Sequence, residues 1–208
     1  HSGEFRTLPL TVIAGENRKE TICREYGYKL IVNPEQAYFS IRSGSERKRI
    51  AEQVKEPEQI LVLFSGIAPY PIMLARHSRA MHITGIELNP DAHLLGIRNV
   101  ELNKIRNISL LQGDVTETLP KLKTPFDRIV MPLPHTALSF LSQALSVLKS
   151  GGIIHLYAFQ ENKEEISSLP EITDICRTVD RRLVDASLFI CGHPSPSRYR
   201  VCIDATID

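Results

Sequence analysis

The stretch Leu61-Val-Leu-Phe-Ser-Gly-Ile-Ala-Pro69, followed by Gly85-Ile-Glu-Leu-Asn-Pro90, decides the fold of this chain. An apolar run ends in a tight Ser-Gly turn, and roughly twenty residues further on a second apolar run ends in one acid, Glu87. In a Rossmann-like nucleotide site, the turn after the first strand approaches the ligand and the acid after the second strand binds a ribose. The stretch therefore predicts an α/β fold with a nucleotide-type ligand at the turn. Its single glycine is unusual, because such turns usually hold more than one.

Strand and helix patterns alternate through the rest of the chain. The predicted strands lie at 60–64, 83–87, 108–112, 128–131 and 152–159, and the predicted helices at 71–76, 91–103, 137–148 and 163–178. Such alternation predicts a mostly parallel sheet with helices on both faces. Two final strands, at 182–191 and 200–207, predict an antiparallel C-terminal hairpin at the sheet edge. By analogy of fold alone, this is the plan of a Rossmann-like class I methyltransferase.

A small β-rich segment precedes the alternating region. Short strand-like runs occur at 11–14, 21–23 and 28–32, with turn residues between them. A helix is predicted over 45–54 with Ser45 as its N-cap, and Asn89-Pro-Asp predicts the start of a later helix. We therefore predict a small β-rich N-terminal subdomain at 1–44 and a Rossmann-like domain at 45–208.

The composition suits a globular α/β protein: of 208 residues, 42% are hydrophobic and 24% are charged. The net charge of +1 gives no global basic field, so any RNA binding must come from a local patch. The cysteines lie far apart, which predicts reduced thiols and a cytoplasmic protein. The histidines lack paired ligand spacing and no apolar run reaches membrane-spanning length, so neither a metal site nor a membrane association is predicted.

Two acids at strand ends are candidates for binding a nucleoside cofactor such as S-adenosylmethionine. Glu87 is placed to accept hydrogen bonds from the two ribose hydroxyls, and the alternative is a solvated acid at a strand end. Asp114, in Gln112-Gly-Asp-Val115, ends the third strand, where an acid can accept from an adenine amino group. The distance of Glu87 from the Ser65-Gly66 turn favours the cofactor interpretation.

The segment Tyr38-Phe-Ser-Ile-Arg-Ser-Gly-Ser-Glu-Arg47 lies just before the sheet, where a cap over a cofactor would sit. Methylation of guanine N1 needs a base for the N1 proton and donors for O6. A carboxylate with nearby arginines supplies both. The alternative to a catalytic role is that this segment is only the capped start of a helix with a solvated charged face. The residue pattern alone favours this alternative.

A corner is predicted at Met131-Pro-Leu-Pro-His135, directly after the fourth predicted strand of the alternating region. In amino-methylating enzymes this corner often carries a side-chain amide that holds the target nitrogen. Pro132 has neither an amide side chain nor a backbone N–H. His135 is a candidate replacement, and the alternative is an exposed loop histidine.

Several stretches together resemble one known family. They are Ala14-Gly-Glu-Asn17, Arg24-Glu-Tyr-Gly-Tyr-Lys29, Ala37–Arg47 and Arg49-Ile-Ala-Glu-Gln-Val54, and the likeness continues through Gly151–Tyr157 to Tyr199-Arg-Val201. Over nearly its whole length, the chain resembles the archaeal and eukaryotic tRNA (guanine-N1) methyltransferase family, which includes the wybutosine-pathway aminocarboxypropyl transferases. The resemblance implies an S-adenosylmethionine-dependent enzyme that modifies the guanosine next to the tRNA anticodon.

The resemblance also implies roles for individual residues. Glu46 matches the proposed general base and Tyr38 an active-site tyrosine, and Arg42 beside them is a further catalytic candidate. The implied cofactor-binding residues are Arg47, Phe64, Ser65, Gly66, Ala68, Glu87, Leu88, Asp114, Val115 and Pro132. The implied partner is tRNA. A further domain or a partner protein is expected to supply the grip on tRNA that the family's separate N-terminal domain provides.

The chain departs from the family inside these motifs: Leu63 replaces an Asp, Ala68 a Gly, Ile41 a Pro and Pro132 an Asn. Three functions therefore remain open. The first is methyl transfer to a ring nitrogen of tRNA, with Glu46 as base and no metal. The second is transfer of the aminocarboxypropyl group from the same cofactor. The third is a non-catalytic methyltransferase fold that binds RNA or a partner.

Overall fold

The computed structural model describes Phe5 and residues 7–208. The strands are β1 (Thr21–Glu25), β2 (Tyr28–Val32), β3 (Gln59–Leu63), β4 (His82–Glu87), β5 (Ile108–Gln112), β6 (Phe126–Met131), β7 (Leu148–Gln160), β8 (Leu183–Ser195) and β9 (Arg198–Ile207). The α-helices are α1 (Gly44–Gln53), α2 (Pro69–His77), α3 (Pro90–Leu102), α4 (Val115–Thr118), α5 (Leu141–Ser146) and α6 (Leu169–Thr178). Among these described residues, no helix has the length and apolar character needed to cross a bilayer.

Two compact units make up the chain. The first comprises the chain up to Pro57 together with Ser65–Asp114, and the second comprises Glu58–Phe64 together with Val115–Asp208. The boundary predicted between residues 44 and 45 stays a prediction.

The first unit combines a hairpin with part of the alternating pattern. Strands β1 and β2 pair antiparallel around a turn at Tyr26 and Gly27, both of which have positive φ angles. Strands β4 and β5 pair in parallel, with Gly85 opposite Leu110. Parallel strands need a crossover connection, and helix α3 supplies it between β4 and β5.

The second unit contains the remaining strands. Strand β6 pairs in parallel with β3 on one side and with β7 on the other. Strand β9 pairs antiparallel with both β7 and β8, over long ladders that include Ile154 opposite Ala205. Residues 60–63 of β3 are fully buried, as expected for a strand covered on both faces.

The predicted fold class is confirmed. Strands β3 to β9 form a seven-stranded main sheet in which parallel pairs precede an antiparallel C-terminal hairpin. A small two-stranded N-terminal sheet stands apart from it. The chain therefore has the α/β, Rossmann-like class I methyltransferase architecture.

Two predictions in the N-terminal region are wrong. Residues 11–14 do not form a strand: they are exposed, Ile13 at 95%, and no strand of the described part of the chain pairs with them. Ser45 is not the N-cap of its helix, because α1 begins at Gly44 and is preceded by Ser43. A 3₁₀ turn at Ile41–Ser43 runs directly into α1, so the helical conformation starts earlier than the side-chain pattern suggests.

Two predicted helices are shorter than expected. The helix predicted at 137–148 is a 3₁₀ turn at Ala137–Phe140 followed by α5, and β7 already begins at Leu148. The helix predicted at 163–178 begins only at Leu169, where Pro170 occupies the first turn. The preceding segment is fixed instead by Gln160, whose side-chain amide donates to the backbone of Asn162 and of Glu165.

Candidate functional site

The turn after β3 has an unusual backbone. Phe64, Gly66 and Ala68 all have positive φ angles, of 55°, 55° and 67°. A non-glycine residue in the left-handed region costs about 1–2 kcal/mol. The Ser65 N–H donates to Ile86 O at 2.9 Å and the Ala68 N–H to Ser65 O at 3.0 Å, and these bonds hold the turn in place. Backbone strain of this kind is concentrated at functional sites, in agreement with the prediction that this turn approaches a ligand.

Glu87 is joined directly to this turn. Its Oε2 accepts from the Gly66 N–H at 2.6 Å and its Oε1 from the Asn89 N–H at 2.9 Å. Burial raises the pKa of Glu87 above its ordinary value, although the backbone N–H groups act in the opposite direction. A carboxylate has about four lone-pair sites, so Glu87 keeps acceptor capacity beyond these backbone bonds.

Glycines outside the turn allow its close approach to the neighbouring elements. A Cβ at Gly85 in β4 would lie 3.0 Å from Ser65 Oγ and 2.7 Å from a methyl of Leu110. A Cβ at Gly96 in α3 would lie 3.3 Å from Gly66 O. The glycines that usually sit within the turn are thus partly replaced by glycines on the strand and helix that face it.

The ends of β4 and β5 lie side by side. Gly113 N donates to Glu87 O at 2.9 Å, and Gln112 Nε2 donates to Leu88 O at 3.3 Å. Leu88 is 37% exposed, and Asp114 follows Gly113 at the same sheet edge. The structure therefore brings the predicted ribose and adenine contacts to one edge.

The start of α3 is built as the sequence predicts. Asn89 Oδ1 accepts from the Asp91 N–H at 3.0 Å and the Ala92 N–H at 3.4 Å, which caps the helix, and Pro90 occupies the first turn. Asn89 Nδ2 also donates to Gln36 O at 2.7 Å. This bond ties the segment just before Tyr38 to the end of β4.

Arg47 is buried and held by the hairpin. Its Nε and Nη2 donate to the two carboxylate oxygens of Glu25 at 2.9 and 2.5 Å, and Nη2 also reaches Ser40 O at 3.2 Å. The Tyr28 hydroxyl donates to the same carboxylate. Burial and then the Glu25 carboxylate raise the pKa of Tyr28 above its ordinary value. Arg47 therefore fixes the start of α1 to β1, and its direct contact with a cofactor stays a prediction.

The three catalytic candidates differ in exposure. Glu46 is buried, and Arg49 donates to both of its carboxylate oxygens at 2.8 Å. Tyr38 is 37% exposed, and its carbonyl oxygen would lie 4.0 Å from a Cβ at Gly66. Arg42 is exposed, in the 3₁₀ turn before α1. The structure thus brings the backbone of Tyr38 to the Gly66 turn.

The remaining predicted cofactor residues belong to the second unit. The ring of Phe64 packs edge-on against Phe140 at 5.1 Å between centroids. Val115 is buried at the start of α4. After Pro132, the Leu133 N–H donates to Met131 O at 2.9 Å, which makes the corner a tight turn.

His135, beyond that corner, takes part in an aromatic group within the second unit. It is exposed, and its ring centroid lies 4.7 Å from that of Phe159. The guanidinium of Arg198 lies over the same phenyl ring at 4.5 Å. An exposed cation stacked on an aromatic ring is a surface that nucleobases can stack on.

Three further residues of this region, Glu25, Asn99 and Asn103, are not among the predicted site residues. Glu25 carries no sequence signal, because its partner Arg47 lies 22 positions away. Asn99 and Asn103 do carry one: two asparagines four apart share a helix face, and both are almost fully buried. Because buried side-chain amides are nearly always hydrogen-bonded, two asparagines at this spacing predict hydrogen bonds from one helix face to a neighbouring element.

The TRM5/TYW2 methyltransferase domain family model matches residues 21–184. The chain is 33% identical over 203 residues to tRNA (guanine(37)-N(1))-methyltransferase Trm5b of Pyrococcus abyssi, covering 97% of this chain and 60% of that protein. It is 33% identical over 156 residues to tRNA(Phe) (4-demethylwyosine(37)-C(7)) aminocarboxypropyltransferase of Methanocaldococcus jannaschii, covering 75% of this chain and 61% of that protein. The chain thus spans about three fifths of the length of these curated relatives.

A solved structure is similar as well. The crystal structure of M. jannaschii TYW2 in complex with AdoMet superposes with a TM-score of 0.86 at 26% identity, covering 95% of this chain and 90% of that one. Together with the family match, these similarities show that the chain belongs to the TRM5/TYW2 methyltransferase domain family.

Proposed function

We propose that the protein is an S-adenosylmethionine-dependent tRNA methyltransferase acting on N1 of the guanosine next to the anticodon. One observation carries the proposal: the strained Ser65–Ala68 turn is hydrogen-bonded to Glu87, the acid predicted to bind a ribose. The name of the relative from Pyrococcus abyssi supports the guanine-N1 specificity. The same proposal makes tRNA the partner.

The residues of the first unit suit an adenosyl cofactor. Space is open at Gly66, where a side chain would meet nothing nearer than Tyr38 O at 4.0 Å. Glu87 keeps acceptor capacity for the ribose hydroxyls, and Asp114 and Leu88 lie at the same sheet edge for the adenine. When bound, S-adenosylmethionine supplies a methyl group on a positively charged sulfur.

In this proposal Glu46 removes the N1 proton of guanine. The base must be held at a fixed angle, and Arg49 does this through both carboxylate oxygens within one turn of α1. Arg47, the next residue, is fixed by Glu25, so the start of α1 cannot rotate without breaking a buried ion pair. Tyr38 and the exposed Arg42 are proposed to contact the target nucleotide.

Aminocarboxypropyl transfer is a second candidate, and the Pro132 corner favours it. Pro132 offers neither an amide side chain nor a backbone donor for guanine. The relatives of the chain also include an aminocarboxypropyltransferase. In that reaction the same site would direct a different carbon of the cofactor to the acceptor atom.

Mass spectrometry of tRNA treated with isotope-labelled S-adenosylmethionine separates these functions. A labelled methyl on guanosine supports the first, and a labelled aminocarboxypropyl group supports the second. An unlabelled tRNA, with intact cofactor binding in calorimetry, would indicate a non-catalytic fold. Glu46→Gln is the internal control: it should cut turnover by about 100-fold or more while the Kd for the cofactor changes little.

Two further proposals concern the setting of the protein. We propose that it acts in the cytoplasm, because its four cysteines lie far apart in the sequence with no metal-type spacing, as expected of thiols in a reducing compartment. We also keep the division into a subdomain at 1–44 and a domain at 45–208 as a proposal. Microscopy of a fluorescent fusion tests the first, and limited proteolysis tests the second.

A further inference from the structure

Asn99 of α3 and Asn103, the residue that caps the C-terminal end of this helix, hold the outer edge of β2. Asn99 accepts from the Ile31 N–H at 2.6 Å and donates to Ile31 O at 3.2 Å. Asn103 accepts from the Lys29 N–H at 3.0 Å and donates to Lys29 O. Each side-chain amide therefore accepts from an N–H and donates to a C=O of β2, as the backbone of a neighbouring strand would. These are the backbone groups of β2 that do not pair with β1.

The spacing of the two elements explains why this works. Two residues along a strand span about 6.8 Å, and four residues along a helix span about 6 Å. Asparagines four apart on α3 therefore meet alternate residues of β2, which are the ones whose N–H and C=O groups point away from β1. Asn99 is fully buried and Asn103 is 6% exposed, so these bonds are shielded from water.

The two asparagines differ in one contact. The second amide hydrogen of Asn99 donates to Ile67 O, in the middle of the Ser65–Ala68 turn, at 3.0 Å. The second amide hydrogen of Asn103 donates to Asn99 O, within α3 itself, at 2.7 Å. One turn before Asn99, the missing side chain of Gly96 lets α3 approach Gly66 O. Helix α3 thus touches the turn at two successive points.

We propose that Asn99 is a positioning residue that couples the β1–β2 hairpin to the Ser65–Ala68 turn. Its single amide binds Ile31 of the hairpin and Ile67 of the turn together, so the docked hairpin sets the backbone that faces the cofactor. The identity of that ligand rests on the function proposed above.

The other end of the hairpin extends the coupling. Glu25, the last residue of β1, holds Arg47, which adjoins the proposed base Glu46. The hairpin is therefore linked to the turn through β2 and Asn99, and to the segment before Glu46 through β1 and Arg47, all within the first unit. The small N-terminal sheet is a link between two parts of the proposed site.

The matched pair Asn99→Ala and Asn103→Ala tests this coupling. Each variant loses one acceptor and one donor bond to β2, but only Asn99→Ala loses the bond to the turn. Amide hydrogen exchange by NMR, on the full chain without ligand, reports the turn through Ser65, Gly66 and Ala68. We expect exchange at these amides to be about fivefold faster in Asn99→Ala than in Asn103→Ala, the effect of one lost neutral hydrogen bond.

Cofactor affinity supplies the second readout. The Kd for S-adenosylmethionine should rise about fivefold in Asn99→Ala and less than twofold in Asn103→Ala. Equal exchange at the turn amides in the two variants would overturn the coupling. If the exchange differs but the wild-type chain does not bind the cofactor, the coupling stands and the proposed function fails.

Serine variants cover the case in which an alanine variant does not fold. Asn99→Ser and Asn103→Ser introduce no buried charge, and a hydroxyl has one donor, so it replaces at most one of the two bonds that the amide donates. The same ordering is expected: faster turn exchange in Asn99→Ser than in Asn103→Ser. The reverse ordering would overturn the proposal.

Discussion

Two buried arginines, Arg47 in the first unit and Arg128 in the second, make the same contact in different surroundings. Each is 2% exposed, and each binds both oxygens of a glutamate, Glu25 for Arg47 and Glu58 for Arg128. Arg47 lies beside the proposed base in the segment that the family resemblance marks. Arg128 lies within β6, away from any motif in the sequence.

Arg128 is the first residue of a hydrogen-bonded chain that continues through His155 to Asp204. Arg128 Nη1 donates to His155 Nε2 at 2.7 Å, so the proton of this neutral imidazole is on Nδ1, which donates to Asp204 Oδ1 at 2.6 Å. Cys202 Sγ donates to the same carboxylate at 3.2 Å. His155, Cys202 and Asp204 have metal-ligand atoms within 4.8 Å of one another, but the nitrogens of His155 are engaged in this chain.

The comparison shows that burial and bidentate pairing do not by themselves mark a functional arginine. Both pairs take a charged group out of water, and both need the partner to offset that cost. What separates them is the element that each pair fixes. Arg47 fixes the segment from Tyr38 to Glu46 to the hairpin, whereas Arg128 joins β6 to β7 and β9 inside the sheet.

The largest effect is expected for Arg128→Ala. The change leaves the half-buried Glu58 carboxylate and the buried His155 Nε2 without their cation, so the free energy of unfolding should fall by about 3–5 kcal/mol. Urea denaturation measures it. Arg177→Ala is the control, because that arginine and its partner Asp174 are more than 70% exposed, and a change below about 0.5 kcal/mol is expected there. Similar losses in both variants would contradict this account of the Arg128 chain.

Glu25→Gln and Glu58→Gln sharpen the contrast between the two arginines. Each removes the negative charge from one pair without changing its shape, and each should lower the free energy of unfolding by about 1.5–3 kcal/mol. Turnover, measured where both variants are folded, should fall about tenfold in Glu25→Gln because the segment next to Glu46 loses its anchor. In Glu58→Gln it should stay near the wild-type value. Equal losses of turnover would mean that both pairs act only through stability.

A smaller effect is expected for Tyr28→Phe. The change removes the hydroxyl that donates to Glu25 but leaves both Arg47 bonds in place, so the free energy of unfolding should fall by about 1–2 kcal/mol. Thermal denaturation measures it. The pKa of this hydroxyl is raised, so the stability difference between wild type and variant should be constant across neutral pH. A difference that varies between pH 6 and 8 would contradict this.

The smallest effect concerns Glu87, a half-buried carboxylate that is held by backbone N–H groups and not by an arginine. Its pKa is raised above 4.5, so between that value and the raised pKa the folded protein binds more protons than the unfolded chain. The free energy of unfolding should therefore fall as pH rises through this window, and the slope should be absent in Glu87→Gln. Urea denaturation of both proteins at several pH values measures the difference.

Cofactor binding should show the opposite pH dependence. The ionised carboxylate is the stronger acceptor for ribose hydroxyls, so affinity should rise as pH rises through the same window. Calorimetry of the wild type and Glu87→Gln separates this from other titrating groups. An affinity that is flat with pH in the wild type would remove Glu87 from the proposed ribose contact.

Much of the fold was predictable because its signals are local. The apolar runs that became β3, β4, β5 and β6 are bounded by turn residues, and Asn89-Pro90 marks the start of α3 as the structure shows. The errors lie where local pattern and tertiary partner disagree. Residues 11–14 are strand-like in sequence but have no partner strand among the described residues. Leu148 of β7 pairs with Phe126 of β6 at a position where the sequence pattern predicts that a helix continues.

The candidate site was predictable in part. The Gly66 turn and Glu87 are close in sequence and their spacing is fixed by the strand–helix–strand unit, so the sequence alone placed them together. The positive φ angles of Phe64 and Ala68 were not predictable, because neither residue type favours that conformation. The link through Asn99 depends on a strand that lies 68 positions earlier in the chain.

The sequence by itself determined the class of fold, the turn and acid of the proposed cofactor site, and the segment that carries the proposed base. These follow from periodicity and short spacings, which act over one or two elements. Only the tertiary structure decided that Arg47 serves the hairpin, that Arg128 serves the sheet, and that Asn99 joins the hairpin to the turn. Those contacts depend on which distant backbone and carboxylate groups become neighbours on folding, and side chains of the same type then acquire different roles.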